Sequence, residues 1–226
     1  WLGVILAVGM VSWGALASGP RSWDALVAWE FRAHALAVGD GLRHPVFADG
    51  AVYSHSRGYP LLLPQLLAGV SEWFGFANAR AIHAGLFALL LGSVWWVCRA
   101  LRWPVLAASL VVFAAGVMPA WLDPGGGSAD SGYADLLVAV LITGAGAGWV
   151  LRDHVVLSCC CGALVVAKPE GLPQALIVVL MAWVMGWWRG FGRGAWAVLA
   201  VLWLWFPLRS ALLHPGDGWP VESSPF

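Results

Sequence analysis

Residues 19–80 hold Asp24, Glu30, Arg32, His34, Asp40, Arg43, His44, Asp49, His55 and Arg57, the one long interval rich in ionisable side chains in an otherwise apolar sequence. Two smaller polar groups follow: Asp135 after Gly132 and Tyr133, and Lys168 with Glu170 around Pro169. A carboxylate can take a proton from a hydroxyl, and guanidinium or ammonium groups can hold a departing anion. Asp24 suits the first role, Arg57 and Lys168 the second. Glu30 follows Asp24 by six positions, about 240° round an α-helix, so these two carboxylates do not share a face. Glu30 is expected to pair with His34 one turn on.

Each candidate has a plainer reading beside the chemical one. Asp24 falls in the first turn of an expected helix, where the helix dipole favours any acid. Asp135 opens another helix and either caps it or lines a cavity. Lys168 and Glu170 either serve a site below the membrane surface, where ionisable groups are costly, or form a mutual ion pair across a turn. His55 and Tyr59 either contact a substrate or are surface side chains.

These residues are positioned by apolar segments. Residues 22–38 carry Trp23, Leu26, Val27, Phe31 and Ala35 at helical spacing, with Ser22 as a plausible N-cap. Residues 39–58 read as loop. Residues 59–76 hold a short apolar run broken by Pro60 and Pro64, too short to span a bilayer. A second surface helix is expected there, over residues 60–73. Residues 1–18 suit either a signal peptide or a first transmembrane helix, and the absence of a basic leading region favours the helix. Further spans are expected at 81–99, 104–121, 133–151, 154–167, 171–188 and 195–213, seven in all.

Composition supports a membrane setting. The chain of 226 residues is 61% hydrophobic and 11% charged, against about 25% charged in a soluble domain. Many of its 17 tryptophans close apolar runs, Trp73, Trp103 and Trp149 among them, as expected for rings at a membrane interface. Zero net charge gives no sign of nucleic-acid binding. Cys159, Cys160 and Cys161 are consecutive and point about 100° apart on a helix. They read, with Cys98, as small apolar residues inside the bundle, with no disulfide and no metal site. Arg99 with Arg102, Arg152, and Arg189 with Arg193 fall in three loops that alternation assigns to the cytoplasm if residues 59–76 do not cross. The first loop (19–80), the loop 123–132, the turn 168–170 and the tail 214–226 then face outward.

The segments Trp23-Asp24-Ala25-Leu26-Val27-Ala28-Trp29, Gly58-Tyr59-Pro60-Leu61-Leu62-Leu63-Pro64, Gly132-Tyr133-Ala134-Asp135 and Lys168-Pro169-Glu170-Gly171 together resemble bacterial GT-C glycosyltransferases. These are multi-pass enzymes similar to protein mannosyltransferases and to the aminoarabinose and galacturonic acid transferases of lipid A. The resemblance covers residues 1–213. It implies an all-α membrane protein, with its active site on the outer face of the bacterial inner membrane. Its donor would be a polyprenyl-phosphate sugar, and its acceptor a lipid, glycan or protein. It implies that Asp24 is the catalytic base; beside it, the residues' own chemistry and placement make Arg57, Tyr59, His55, Asp135, Lys168 and Glu170 the candidate substrate contacts. No cofactor is indicated, and a divalent metal is left open. Such enzymes are about twice this length, which makes the chain an N-terminal part. The alternatives are a multi-pass transporter or lipid flippase, against which the sequence has no internal repeat, and a non-catalytic accessory membrane protein.

Overall fold

The structure, a computed structural model, describes residues 2–17, 25–38, 47, 61–118, 129, 134–168, 171–184 and 204. Among the described residues the regular structure is entirely helical. The chain runs through α1 (Leu2–Ala17), a π-helix (Ala25–Glu30), α2 (Phe31–Val38), α3 (Leu62–Phe74), α4 (Phe76–Ala79), α5 (Ile82–Ala100), α6 (Val105–Gly116), α7 (Asp135–Leu151), α8 (His154–Ala167) and α9 (Gly171–Val184).

The helix ends follow from local chemistry. Gly75 separates α3 from α4 with φ 79° and ψ 154°, a region open essentially to glycine alone. Asp153 starts α8 by accepting hydrogen bonds from the backbone N–H groups of Val155 and Val156, both at 3.0 Å. Lys168 ends that helix in an extended conformation, which Pro169 imposes on the residue before it. Arg102 and Arg152 both take left-handed backbone angles, at the ends of α5 and α7.

Helix α5 is central, packed on α1, α6 and α7, while α8 joins through α7 and α9 packs mainly on α8. Helices α1 and α6 run side by side: a Cβ at Gly3 would strike the Phe113 ring, and one at Gly116 would lie 3.7 Å from Ala7 and 3.4 Å from Leu91. Helices α7 and α8 are antiparallel, with Gly148 against Leu157, Gly144 against Cys160, and Asp135 against Lys168. The glycines let the two backbones approach closely, since a Cβ at Gly148 would sit 2.6 Å from the Leu157 nitrogen. One core unites these helices, with Phe87, Leu91, Leu136, Leu157 and Leu164 at its centre.

By length and composition one described helix can cross a bilayer, the 25-residue segment Phe76–Ala100. The other apolar helices are shorter, from 10 to 17 residues, against about 20 for a typical span. In particular α6 ends at Gly116, short of the expected 121, because Pro119 has no N–H to continue the ladder. The expected span at 195–213 lies outside the described residues. Large apolar side chains stand exposed on α1, α6 and α9, including Met10, Trp13, Leu106, Leu110, Ile177 and Leu180. Such apolar surface marks contact with a partner or a membrane.

Candidate functional site

Among the described residues two charged side-chain pairs stand out. The first joins Glu30, the last residue of the π-helix, to Arg80, which lies between α4 and α5. Arg80 donates from Nε to Oε1 at 2.6 Å and from Nη2 to Oε2 at 2.8 Å. The Glu30 side chain is 5% exposed and that of Arg80 23%. A carboxylate so deeply buried needs a full charge partner, and the planar guanidinium meets both its oxygens at once.

The expected pairing of Glu30 with His34 is therefore corrected. Glu30 closes a π-helical turn, 25–30, and its buried carboxylate has both oxygens engaged by the Arg80 guanidinium. His34 instead meets Phe76 edge-on, ring centroids 5.1 Å apart. Arg32, also buried, holds its guanidinium 5.8 Å from the centre of the Phe47 ring. The first-loop helix is thus fastened to the start of α5 by contacts from two of its turns. Ala25, the chain neighbour of Asp24, is fully buried in this unit.

The second pair lies at the paired ends of α7 and α8. Lys168 donates from Nζ to Asp135 Oδ1 at 2.6 Å, with side chains 20% and 46% exposed. Local sequence builds both ends. Pro169 terminates α8 and leaves Lys168 at its C-terminus, where the dipole favours a cation; Asp135 occupies the first turn of α7, where it favours an acid. Asp135 does not act as the cap, since Ala134 holds that position and the carboxylate goes to Lys168. The arrangement sets one acid and one base, 33 residues apart, together at a partly exposed helix end.

Of the residues singled out from the sequence, Asp135 and Lys168 are brought into contact. Asp24, His55, Arg57, Tyr59 and Glu170 lie outside the described residues, as do the loop 123–128 and the tail 214–226. Arg80 reads from the sequence, with Arg21, Arg32, Arg43 and Arg57, as held on the outer side for anions, and the anion it meets is the Glu30 carboxylate. The buried His83 is not singled out by the sequence beyond its place where the polar first loop meets an apolar span. The four cysteines form no disulfide; Cys98 and Cys161 are buried, but Cys159 is exposed, against the expectation that all would lie inside. On an α-helix three consecutive residues cannot all face one core. Among the described residues no group of His, Cys, Asp or Glu side chains could hold a metal ion. A small cavity between α1, α5 and α6, lined by Gly3, Val4, Trp95, Ser109, Val112 and Phe113, has no ionisable group.

Compared with known protein families, characterised proteins and solved structures, the chain matches none. Its functional reading rests on its own residues.

Proposed function

We propose that this chain belongs to a polytopic membrane glycosyltransferase of the GT-C type. It would act at the outer face of the bacterial inner membrane, moving a sugar from a polyprenyl-phosphate carrier to a lipid, glycan or protein acceptor. The observation that carries this reading is the contact between Asp135 and Lys168. One belongs to the Gly-Tyr-Ala-Asp segment and the other to the Lys-Pro-Glu-Gly segment, two of the four that resemble the family. The exposed apolar faces of α1, α6 and α9 support the membrane setting.

In this reaction the acceptor oxygen attacks the anomeric carbon while Asp24 takes the hydroxyl proton. The bond from that carbon to the phosphate oxygen breaks, and its electron pair leaves with polyprenyl phosphate. Arg57 and Lys168 hold the growing phosphate charge, with Asp135 fixing the Lys168 ammonium. His55, Tyr59 and Glu170 complete the sugar and phosphate contacts. The Glu30 to Arg80 clamp holds the helix that follows Asp24 against the start of α5.

The test is transfer from a doubly labelled donor, with one isotope in the sugar and another in the polyprenyl chain, in vesicles carrying the protein. The proposal expects the sugar label to move to an acceptor while the polyprenyl label remains as free polyprenyl phosphate. Movement of intact donor between leaflets, with both labels still joined, would instead identify a flippase.

A further inference from the structure

Helix α3 ends in two adjacent aromatic side chains that nothing described covers: Trp73 is 83% exposed and Phe74 67%. We propose that this corner is a membrane anchor, with Trp73 and Phe74 seated in the lipid headgroup layer. The inference rests on the membrane part of the reading above and adds a lipid contact that fixes the depth of the first-loop helices.

Helix α3 buries its other side, Leu63, Pro64, Leu67 and Ala68, and packs on α2, the π-helix and α8. Its outward face carries Gln65, Gly69, Glu72 and Trp73, all exposed. The aromatic pair thus stands at one end of a polar surface. The glycine turn at Gly75 then leads directly into Phe76–Ala100, the helix long and apolar enough to cross a bilayer.

The length of that helix sets the depth. Arg99, exposed near its far end, and Arg102 beyond it mark one edge of the apolar layer. About 20 residues cover the hydrocarbon thickness, which counts back from Arg99 to Ala79. Phe74 lies five positions earlier, about 8 Å further along the chain at helical rise. The headgroup layer is about 5–8 Å thick on each side, so the pair falls within it. Tryptophan favours that layer because its ring is apolar and its N–H can remain hydrated.

A protein partner fits this corner poorly. Two aromatic side chains offer roughly 300–500 Å² at most, whereas a stable protein interface buries about 1,200–2,000 Å² in total. An exposed aromatic pair beside Glu72 suits insertion between headgroups. Because α3 packs on α2 and the π-helix, an anchor here holds those helices and the Glu30 to Arg80 clamp at constant depth, at the outer edge of the apolar layer.

The experiment uses the unaltered protein in nanodiscs containing phospholipids with a diazirine either next to the headgroup or at the acyl terminus. Irradiation is followed by mapping of adducts by mass spectrometry. The headgroup probe should label Trp73 and Phe74, and the acyl-terminal probe should label the Leu89 region, which is exposed midway along α5. Acyl-terminal labelling at Leu89 with no lipid adduct at Trp73 or Phe74 overturns the anchor and leaves the membrane reading intact. Acyl-terminal labelling at Trp73 overturns it too, since α3 would then enter the hydrocarbon. Loss of labelling at Leu89 as well contradicts the membrane reading itself.

Discussion

Removing either member of the Glu30 to Arg80 pair should destabilise the protein unequally, and the inequality follows from burial. Arg80→Met strands a carboxylate whose side chain is 5% exposed, and breaking a buried pair this way costs about 3–5 kcal/mol. Glu30→Gln leaves Arg80, which at 23% exposure can reach water. The amide still accepts one hydrogen bond, so the loss is that of a charge-assisted bond, about 1.5–3 kcal/mol. The Arg80 variant should therefore be the weaker by roughly 2 kcal/mol. The double variant removes both charges and should recover part of the Arg80→Met loss, giving a coupling energy well above the ~0.5 kcal/mol expected of independent sites. Reversible unfolding of the purified protein in mixed micelles, titrated with a denaturing detergent and followed by circular dichroism, measures all three. Equal losses in the two single variants, or simple additivity in the double, would refute the assignment of Glu30 as the buried partner whose charge must be met.

Two further outcomes separate structural from functional roles. The Asp135 to Lys168 pair is partly exposed on both sides, so Asp135→Asn and Lys168→Met should each change stability by no more than about 1 kcal/mol, while sugar transfer falls and the KM for donor rises. A stability loss with unchanged transfer would make the pair a structural brace. On α7, Gly148→Ala should cost about 1–3 kcal/mol because the new Cβ meets backbone atoms of α8. Gly146→Ala, with nothing within 4 Å of its Cβ, should be neutral or stabilising by about 0.5–1 kcal/mol; the same detergent titration compares the two.

Helix positions were largely readable from the apolar pattern and its breakers. The expected segment 154–167 coincides with α8, and 81–99 differs by one residue from α5. The short run after Pro60 forms α3 as a separate helix, because Gly75 turns the chain before the long apolar segment begins. Winding and pairing were less readable. No local pattern distinguishes a π-turn from an α-turn at residues 25–30, and none reveals that Glu30 is buried against an arginine 50 positions on rather than paired with a neighbour four positions on. Asp135 and Lys168 each read from the sequence as standing at an outward end of a helix, but the ion pair expected there for Lys168 is with Glu170, and only the antiparallel packing of α7 and α8 brings it to Asp135. The depth of α6 was misread because apolar composition continues past Gly116 while the hydrogen-bond ladder does not.

The central claim is that Asp24 is the base of a sugar transfer from a polyprenyl-phosphate donor. Its most direct test is the transfer rate of Asp24→Asn against the unaltered protein, in membranes at matched protein level with a radiolabelled donor. Asparagine is nearly isosteric and still caps a helix start, so fold and donor binding should be kept while transfer falls by about 100- to 10,000-fold. A variant that retains more than about half the original rate, far short of a general base's contribution, would contradict the claim.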